Sequence, residues 1–235
     1  MLLGIGLACA RLFLAEGANV AIISNNSETL SVAKSQLGAN VMAIQADVTI
    51  PKTLSAAFAQ VNDRFGHTNV LFAGAGVAST TPLDSASVQT VERVLTINIA
   101  GSFYTVQAAL PHMRSGASVI LVGSVMSTMG FAGFAVYAGS KAGISGMARS
   151  LASELTPKGI RVNTVVPGAT RTPIWNSLAQ TEAQVQEIEQ GLIRSIPIGR
   201  FNNAEEVAQA ALFLVFDRDN CFFAFELHSC LHPWL

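Results

Sequence analysis

Residues 118–166 read SVILVGSVMSTMGFAGFAVYAGSKAGISGMARSLASELTPKGIRVNTVV, and this stretch decides the fold. Two short apolar runs, 118–122 and 160–166, flank one long helical segment at 136–155. Both runs are nearly continuous rather than alternating, which is typical of strands covered on both faces of a parallel sheet. The stretch therefore predicts a β-α-β unit with a right-handed crossover.

The same alternation of short apolar runs and helical segments continues on both sides of this unit. Further strands are predicted at 19–24, 41–45 and 70–73, and further helices at 27–36, 52–65, 88–113, 182–192 and 204–216. Repeated β-α units indicate an α/β fold with a doubly wound parallel sheet, Rossmann-like, in a single domain spanning 1–220.

Both ends depart from that pattern. A doubly wound dinucleotide-binding domain begins with a strand, then a glycine-rich turn, then a helix. Here residues 1–6, MLLGIG, lead directly into a helix at 7–16, so we expect the first strand to be absent. Residues 221–235 are rich in phenylalanine and follow neither a strand nor a helix pattern, and we expect an atypical tail there.

The composition narrows the class of protein. Half of the 235 residues are hydrophobic and 12% are charged, which excludes intrinsic disorder. The net charge of -1 leaves no basic excess for nucleic acid, and no run of about 18 apolar residues predicts a membrane span. The three cysteines form no short-spaced pairs, which favours a reducing, cytoplasmic location.

Tyr137 and Lys141 are four residues apart and therefore share one face of the predicted helix. An ammonium group beside a phenol favours the phenolate, so such a pair can act as a general acid or base. Ser124 follows the predicted strand 118–122, at the edge where open α/β sheets bind ligands.

In order and spacing, these and other residues resemble the short-chain dehydrogenase/reductase family over about residues 4–216. The matching positions are Gly4, Ile5, Gly6, Asp47, Val48, the 73–76 run AGAG, Asn98, Ser124, Tyr137 to Lys141 (YAGSK), Asn163, Pro167, Gly168 and Thr172. The resemblance implies an oxidoreductase that moves a hydride between NAD(P)(H) and a ketone or secondary alcohol.

It also implies roles for individual residues. Tyr137 would exchange the hydroxyl proton, Lys141 would lower the Tyr137 pKa and hold the nicotinamide ribose, and Ser124 would bind the substrate oxygen. Asn98 would hold a water in a proton relay to Lys141. Met126 and Trp175 are expected in an apolar substrate pocket, and the long helices are expected to assemble a homo-tetramer or homo-dimer.

The implied cofactor-binding residues are spread along the chain. They are Gly4, Ile5 and Gly6 at the pyrophosphate, Ser24 and Asn25 at the ribose, Asp47 and Val48 at the adenine, and Gly74, Tyr137, Lys141, Pro167, Gly168, Thr170 and Thr172. Position 74 is Gly where the family has Asn. No carboxylate stands at 24–26 to repel a 2'-phosphate, so we favour NADP over NAD.

Some of these residues have other interpretations, one possible metal site is not expected, and a second class of function stays open. Asp47 could simply cap the following helix, and Thr172 could do the same. Cys221, His228, Cys230 and His232 fit no zinc spacing, so we expect no metal site. The absent first strand also admits a different class, a catalytically silent or truncated family member that at most binds a partner.

Overall fold

The computed structural model describes residues 2–177, 181–194, 196–216 and 226–228. Within them the chain forms an α/β fold in which every strand pairing is parallel. The strands are β1 (Ala21–Ser24), β2 (Met42–Gln45), β3 (Thr68–Ala73), β4 (Met113–Val122), β5 (Arg161–Val166) and β6 (Glu226–His228). The α-helices are α1 (Leu7–Ala15), α2 (Ser27–Leu37), α3 (Pro51–Phe65), α4 (Val88–Leu95), α5 (Gly101–Ala109), α6 (Ala135–Leu155), α7 (Glu182–Ile193) and α8 (Ala204–Phe216). The α/β parallel architecture predicted from the sequence is confirmed.

The described strands form two separate sheets. β1 pairs with β2, and the second sheet has the order β3-β4-β5-β6. The two central strands of the second sheet, β4 and β5, form its buried core. β5 is buried along its whole length, and β4 is buried from Ala117 onward. No pairing joins β1 to β3 in the described part of the chain, so the sheet is split where a doubly wound fold would be continuous.

Helices cover both faces of the four-stranded sheet. On one face α3, α5 and α6 pack over it through residues such as Leu54, Val106 and Ile144. On the other face α1 and α8 meet through residues such as Cys9 and Leu214. A third cluster, with Leu7 and Leu30, joins α1 and α2 to β1 and β2. Cys9 is buried, and burial raises the pKa of its thiol to about 12, so it acts as a small core residue.

Two predicted elements, the long helix at 88–113 and the strand at 118–122, differ from the structure. The helix expected at 88–113 is α4, a π-helical turn (Thr96–Ala100), α5 and a short 3₁₀ turn (Leu110–His112). β4 begins at Met113, five residues earlier than expected, because pairing with Thr68 starts there and resumes at Ser118 after an irregular stretch. Gly116 has φ 92° in that stretch, a conformation that glycine adopts without strain.

The tail expected at 221–235 is partly a strand. Glu226–His228 extends the four-stranded sheet by pairing with Thr164, Val165 and Val166 of β5. Three residues are too few to show a period in the sequence, which explains why the pattern missed them. The other residues of that tail, including Cys221, Cys230, His232 and Trp234, lie outside the described residues.

One buried charge ties α8 to the sheet. Arg161 at the start of β5 is 4% exposed, and its guanidinium donates to the carbonyls of Leu214 and Val215 at 2.8 and 2.9 Å. Ser118 of β4 also donates to the Leu214 carbonyl, at 3.1 Å. These carbonyls belong to the last turn of α8, where helical partners are lacking and a positive charge is favourable.

Among the described helices, none combines the length and the apolar character that a membrane crossing needs.

Candidate active site

The residues predicted for catalysis come from the end of β4 and the first turns of α6. Ser124 lies two residues beyond β4, where its hydroxyl accepts from the Met126 amide at 3.2 Å and begins a short 3₁₀ turn. Tyr137 and Lys141 lie one turn apart on the buried face of α6. The fold therefore brings all three predicted residues to the carboxyl edge of the sheet.

Tyr137 is buried, and it shares a hydrogen bond with the Ser124 hydroxyl. Burial raises the pKa of the phenol above its ordinary value, because the phenolate would lose its hydration, and the hydrogen bond with Ser124 opposes that rise. The net direction is opposite to the one expected from Lys141 acting alone. The phenol is therefore protonated at neutral pH.

Lys141 is one of the most buried charged groups in the described chain, at 3% exposed. Its Nζ donates to the Val122 carbonyl at the end of β4 at 2.8 Å and lies 5.9 Å from the centre of the Tyr137 ring. Burial lowers the pKa of the ammonium to about 8. The amine is thus charged at neutral pH and loses its proton under mildly alkaline conditions.

Asn98 is fully buried inside the π-helical turn, a helix irregularity that recurs at functional sites. Its Oδ1 accepts from the Val77 amide at 2.9 Å, and its Nδ2 donates to the Val77 carbonyl and to Ser140 Oγ, each at 3.0 Å. Ser140 in turn donates to the Tyr137 carbonyl at 2.7 Å. The Asn98 side chain thus clamps the loop after β3 to α6. Its water-relay role stays a prediction.

The glycine-rich start and the segment after β5 come into direct contact. A Cβ on Gly4 would lie 2.8 Å from Thr172 Cγ2 and 2.9 Å from Thr172 Cβ, which is too close. Gly4 is thus required for this approach. Gly4 and Gly6 belong to a π-helical turn (Leu2–Gly6) that runs directly into α1, with no side-chain cap where the two meet.

The residues predicted to bind the adenine and the ribose meet at the carboxyl ends of β1 and β2. Asn25 donates to Asp47 Oδ2 at 3.2 Å, and the amide and hydroxyl of Thr49 donate to Asp47 Oδ1 at 2.8 and 2.7 Å. These bonds, with those from Thr49 foremost, lower the pKa of Asp47. The Asn26 amide donates to Ser24 Oγ at 3.3 Å. Val48 packs closely on Gly101, because a Cβ added at Gly101 would lie 2.7 Å from Val48 Cγ2. The alternative in which Asp47 caps α3 is wrong, because Ile50 is the N-cap of that helix and no side chain caps it; Asp47 instead bonds to Thr49 in the turn before the helix.

Gly74, which departs from the family pattern, lies beside Phe72. A Cβ at Gly74 would approach the Phe72 ring to 2.6 Å. An asparagine would fit there only if the Phe72 ring moved.

Two cavities adjoin along this edge, and Gly76 and Val77 line both. The smaller cavity, of about 370 Å³, is almost entirely apolar. Of the predicted residues it is lined by Ile5, Ser124, Met126, Tyr137, Lys141, Pro167, Gly168, Thr170, Thr172 and Trp175. The larger cavity, of about 1190 Å³, is lined among others by Gly6, Ser24, Asn25, Asp47, Val48 and Gly74. Every predicted site residue lines one of the two except Gly4 and Asn98.

The segment that carries Trp175 is tied to its surroundings. The Trp175 indole donates to the Thr170 carbonyl at 2.7 Å, and its ring lies 5.1 Å from that of Phe201. Thr170 forms a parallel bridge with Asn202 and donates through Oγ1 to the Gly168 carbonyl at 3.0 Å. These contacts hold Trp175 beside the smaller cavity, in which the sequence analysis expected it.

Sequence reasoning missed several residues of this site. Ile188 and Leu192, one turn apart on α7, add to the apolar wall of the smaller cavity, and their i, i+4 spacing was the available signal. Ser140 lies inside the YAGSK motif but was given no role. Within the described ranges no cluster of three His, Cys, Asp or Glu residues could hold a metal ion, whereas Cys221, Cys230 and His232 lie outside them.

Comparison with known proteins agrees with this geometry. Residues 2–227 match the family model described as enoyl-(acyl carrier protein) reductase. The chain is 36% identical to carbonyl reductase family member 4 of Danio rerio over 214 residues, covering 90% of this chain and 86% of that protein. It is also 36% identical to the 3-oxoacyl-[acyl-carrier-protein] reductase of Bos taurus, with the same shares covered.

Solved structures show the same likeness. Levodione reductase superposes with a TM-score of 0.90 at 29% identity, covering 97% of this chain and 92% of that one. A short-chain dehydrogenase/reductase from Brucella melitensis, named as a glucose/ribitol dehydrogenase, superposes with a TM-score of 0.88 at 28% identity, covering 96% of this chain and 90% of that one. The chain therefore belongs to the short-chain dehydrogenase/reductase family and is an NAD(P)-dependent oxidoreductase of that family.

Proposed function

We propose that this protein reduces the ketone of an uncharged, apolar small molecule, or oxidises the matching secondary alcohol, with Ser124, Tyr137 and Lys141 as its catalytic residues. The observation that carries the proposal is the convergence of these three side chains on one wall of an otherwise apolar cavity. Lys141 supplies the one charged group among the described residues that line it, so an ionic substrate would find no partner except this amine.

The residues at this edge also suit a dinucleotide. The two adjoining cavities extend from Asn25 and Asp47 at one end to Tyr137 and Lys141 at the other. Ile5 lines one cavity and Gly6 the other, so the start of α1 lies at their junction. That junction is where we propose that the pyrophosphate binds, beside Gly4 and Gly6, which carry no side chain that would keep it from the backbone.

A nicotinamide cofactor bound there supplies or accepts the hydride. In the reductive direction the substrate oxygen gains negative charge, which the hydroxyls of Ser124 and Tyr137 stabilise as hydrogen-bond donors. The phenol of Tyr137 then transfers its proton to that oxygen, giving the alcohol and a phenolate. The buried ammonium of Lys141 stabilises this phenolate. Because burial raises the pKa of Tyr137, the proton is in place at neutral pH, which favours reduction.

We propose NADP rather than NAD as the preferred cofactor. No side chain at 24–26 carries a negative charge, and the nearby Asp47 carboxylate is engaged by Thr49 and Asn25. The ratio of kcat/KM for NADPH to that for NADH, measured with one ketone, tests this choice. We expect a ratio above one, and a ratio below one would overturn it. The single-domain extent 1–220 and the cytoplasmic location likewise remain proposals.

The central experiment replaces Tyr137, with Tyr104→Phe as the matched control because the chain has two tyrosines. Tyr137→Phe should lower kcat for NADPH-dependent reduction of aryl and cyclic ketones by about 10²–10⁴-fold, the usual value of general acid-base catalysis. Calorimetry should give a nearly unchanged Kd for NADPH. A variant that keeps more than about a tenth of the wild-type kcat would contradict the assigned role.

A second candidate function is a catalytically silent family member. The observation that favours it is the split between β1 and β3, both of which line the larger cavity. Calorimetric titration with NADPH and NADH separates the two: binding with turnover supports the reductase, whereas binding of neither cofactor supports the silent member.

A further inference from the structure

Ser140 lies on α6 between the two proposed catalytic residues of that helix, Tyr137 and Lys141, and it is 1% exposed. A serine inside a helix often bonds only to a carbonyl one turn earlier, and Ser140 makes that bond, to the Tyr137 carbonyl at 2.7 Å. Its hydroxyl also accepts from Asn98 Nδ2 at 3.0 Å, across 42 positions of the chain. This second bond does nothing for the helix itself, so it needs another explanation.

The bond to Ser140 uses the second of the two N–H groups of the Asn98 amide. The Val77 N–H can only donate, so it fixes Asn98 Oδ1 on its own side, and Nδ2 then donates to the Val77 carbonyl and to Ser140. The Asn98 backbone is held separately, because Ser102 Oγ donates to its carbonyl at 2.7 Å. Without the Ser140 hydroxyl, one buried N–H would lack an acceptor, which favours rotation of the Asn98 side chain away from Val77.

The far end of this chain of hydrogen bonds is a wall of the site. Val77 lines both the smaller and the larger cavity, and Tyr137 lines the smaller one. Ser140 bonds directly to the backbone of Tyr137 and, through Asn98, to both backbone groups of Val77. It therefore links the helix that carries the proposed proton donor to the wall that the two cavities share.

We propose that Ser140 is a positioning residue for the reaction, whose hydroxyl holds the loop after β3 against the first turns of α6. This inference rests on the proposed function, because it concerns where a ketone and a nicotinamide would meet Tyr137. Ser140 itself exchanges no proton with the substrate, since it is not among the described residues that line the two cavities. Its contribution is geometric, and a misplacement of about 1 Å can slow an enzymatic reaction by about 10²-fold.

The helix offers a matched control. Ser145 is also buried on α6, and within the described residues its hydroxyl has no hydrogen-bond partner. Ser140→Ala and Ser145→Ala thus remove the same atom from the same helix, but only the first removes hydrogen bonds. At a temperature where circular dichroism shows every variant folded, Ser140→Ala should lower kcat for NADPH-dependent ketone reduction at least about tenfold. The KM for the ketone should change less than about threefold, because the apolar lining is the same. Ser145→Ala should keep kcat within about twofold of wild type.

A double-mutant cycle tests whether the effect passes through Asn98. Ser140→Ala, introduced into an Asn98→Ala background, should lower kcat by less than about twofold further, because the bond between the two side chains is already absent. Losses that multiply in full would overturn the link through Asn98, since residues that act independently show additive changes in activation free energy.

Hydrogen exchange of the Val77 amide, followed by NMR, needs neither cofactor nor turnover. This amide donates to Asn98 Oδ1, so it should exchange at least about threefold faster in Ser140→Ala than in Ser145→Ala. An equal exchange rate in the two variants, or an equal kcat in an active enzyme, would overturn the positioning role. A wild-type chain that reduces no ketone would instead overturn the proposed function, and a faster Val77 amide in Ser140→Ala would then still support the link from Ser140 to Val77.

Discussion

Replacing Lys141 with Met tests how much the buried ammonium group lowers the stability of the folded protein. The pKa of Lys141 falls from 10.5 to about 8 because the ammonium is buried. At about 1.4 kcal/mol per pH unit, this shift corresponds to about 3 kcal/mol by which the charged amine lowers the free energy of unfolding at neutral pH. The Lys141→Met variant lacks this cost, although it also loses the bond to the Val122 carbonyl.

The sign follows from proton binding. Between about pH 8 and 10.5 the unfolded chain binds more protons at Lys141 than the folded chain, so wild-type stability rises with pH in that window. Below pH 8 both states are protonated and the full cost applies. The difference in unfolding free energy, Lys141→Met minus wild type, should therefore fall by about 2 kcal/mol between about pH 7 and pH 9.5.

Urea unfolding monitored by circular dichroism, at one protein concentration and several pH values, measures this difference. Lys158→Met is the matched control, because Lys158 is exposed in a short turn after α6. The control should show a difference from wild type that does not change over the same pH range. A Lys141→Met difference that stays constant to within about 0.5 kcal/mol would refute the reasoning.

Three further predictions concern other contacts. Gly4→Ala should weaken NADPH binding at least about tenfold, because the added methyl group overpacks against Thr172 and forces it away. The control Gly191→Ala, whose added methyl group meets no atom within 4 Å, should leave the calorimetric Kd unchanged. Arg161→Met should lower the free energy of unfolding by about 1–3 kcal/mol, because the Val215 carbonyl loses its Arg161 donor and the Leu214 carbonyl keeps only the Ser118 hydroxyl; exposed Arg149→Met should change it little, and equal urea midpoints would contradict this. Light scattering should give a dimer or tetramer at micromolar concentration, since Val88, Leu95 and Phe103 of α4 and α5 are exposed; a stable monomer would count against it.

The parts that the sequence predicts well are those with a strong local pattern. The near-continuous apolar runs of β4 and β5 and the YAGSK motif on α6 indicated both the parallel sheet and the position of Tyr137 and Lys141. Strand β6 was missed because three residues carry no period. The π-helical turn was missed because Asn98 bonds to Val77, 21 residues earlier in the chain.

A sequence motif also does not tell how deeply its side chains are buried. The spacing of Tyr137 and Lys141 indicated an ammonium beside a phenol, but the direction of the Tyr137 pKa shift depends on how completely the fold removes water from both groups. The bond from Lys141 to the Val122 carbonyl depends equally on how α6 lies against the end of β4.

The split between β1 and β3 also has a thermodynamic consequence for ligand binding. Asn25 and Asp47 follow the strands of the two-stranded sheet, whereas Ser124 follows β4 of the four-stranded sheet and Tyr137 lies on α6, which packs against that sheet. No backbone ladder among the described residues fixes one pair relative to the other. A dinucleotide that contacts both pairs at once would bridge the two sheets. Its binding free energy would then be linked to the stability of the whole domain, so the melting temperature should rise with cofactor concentration by mass action.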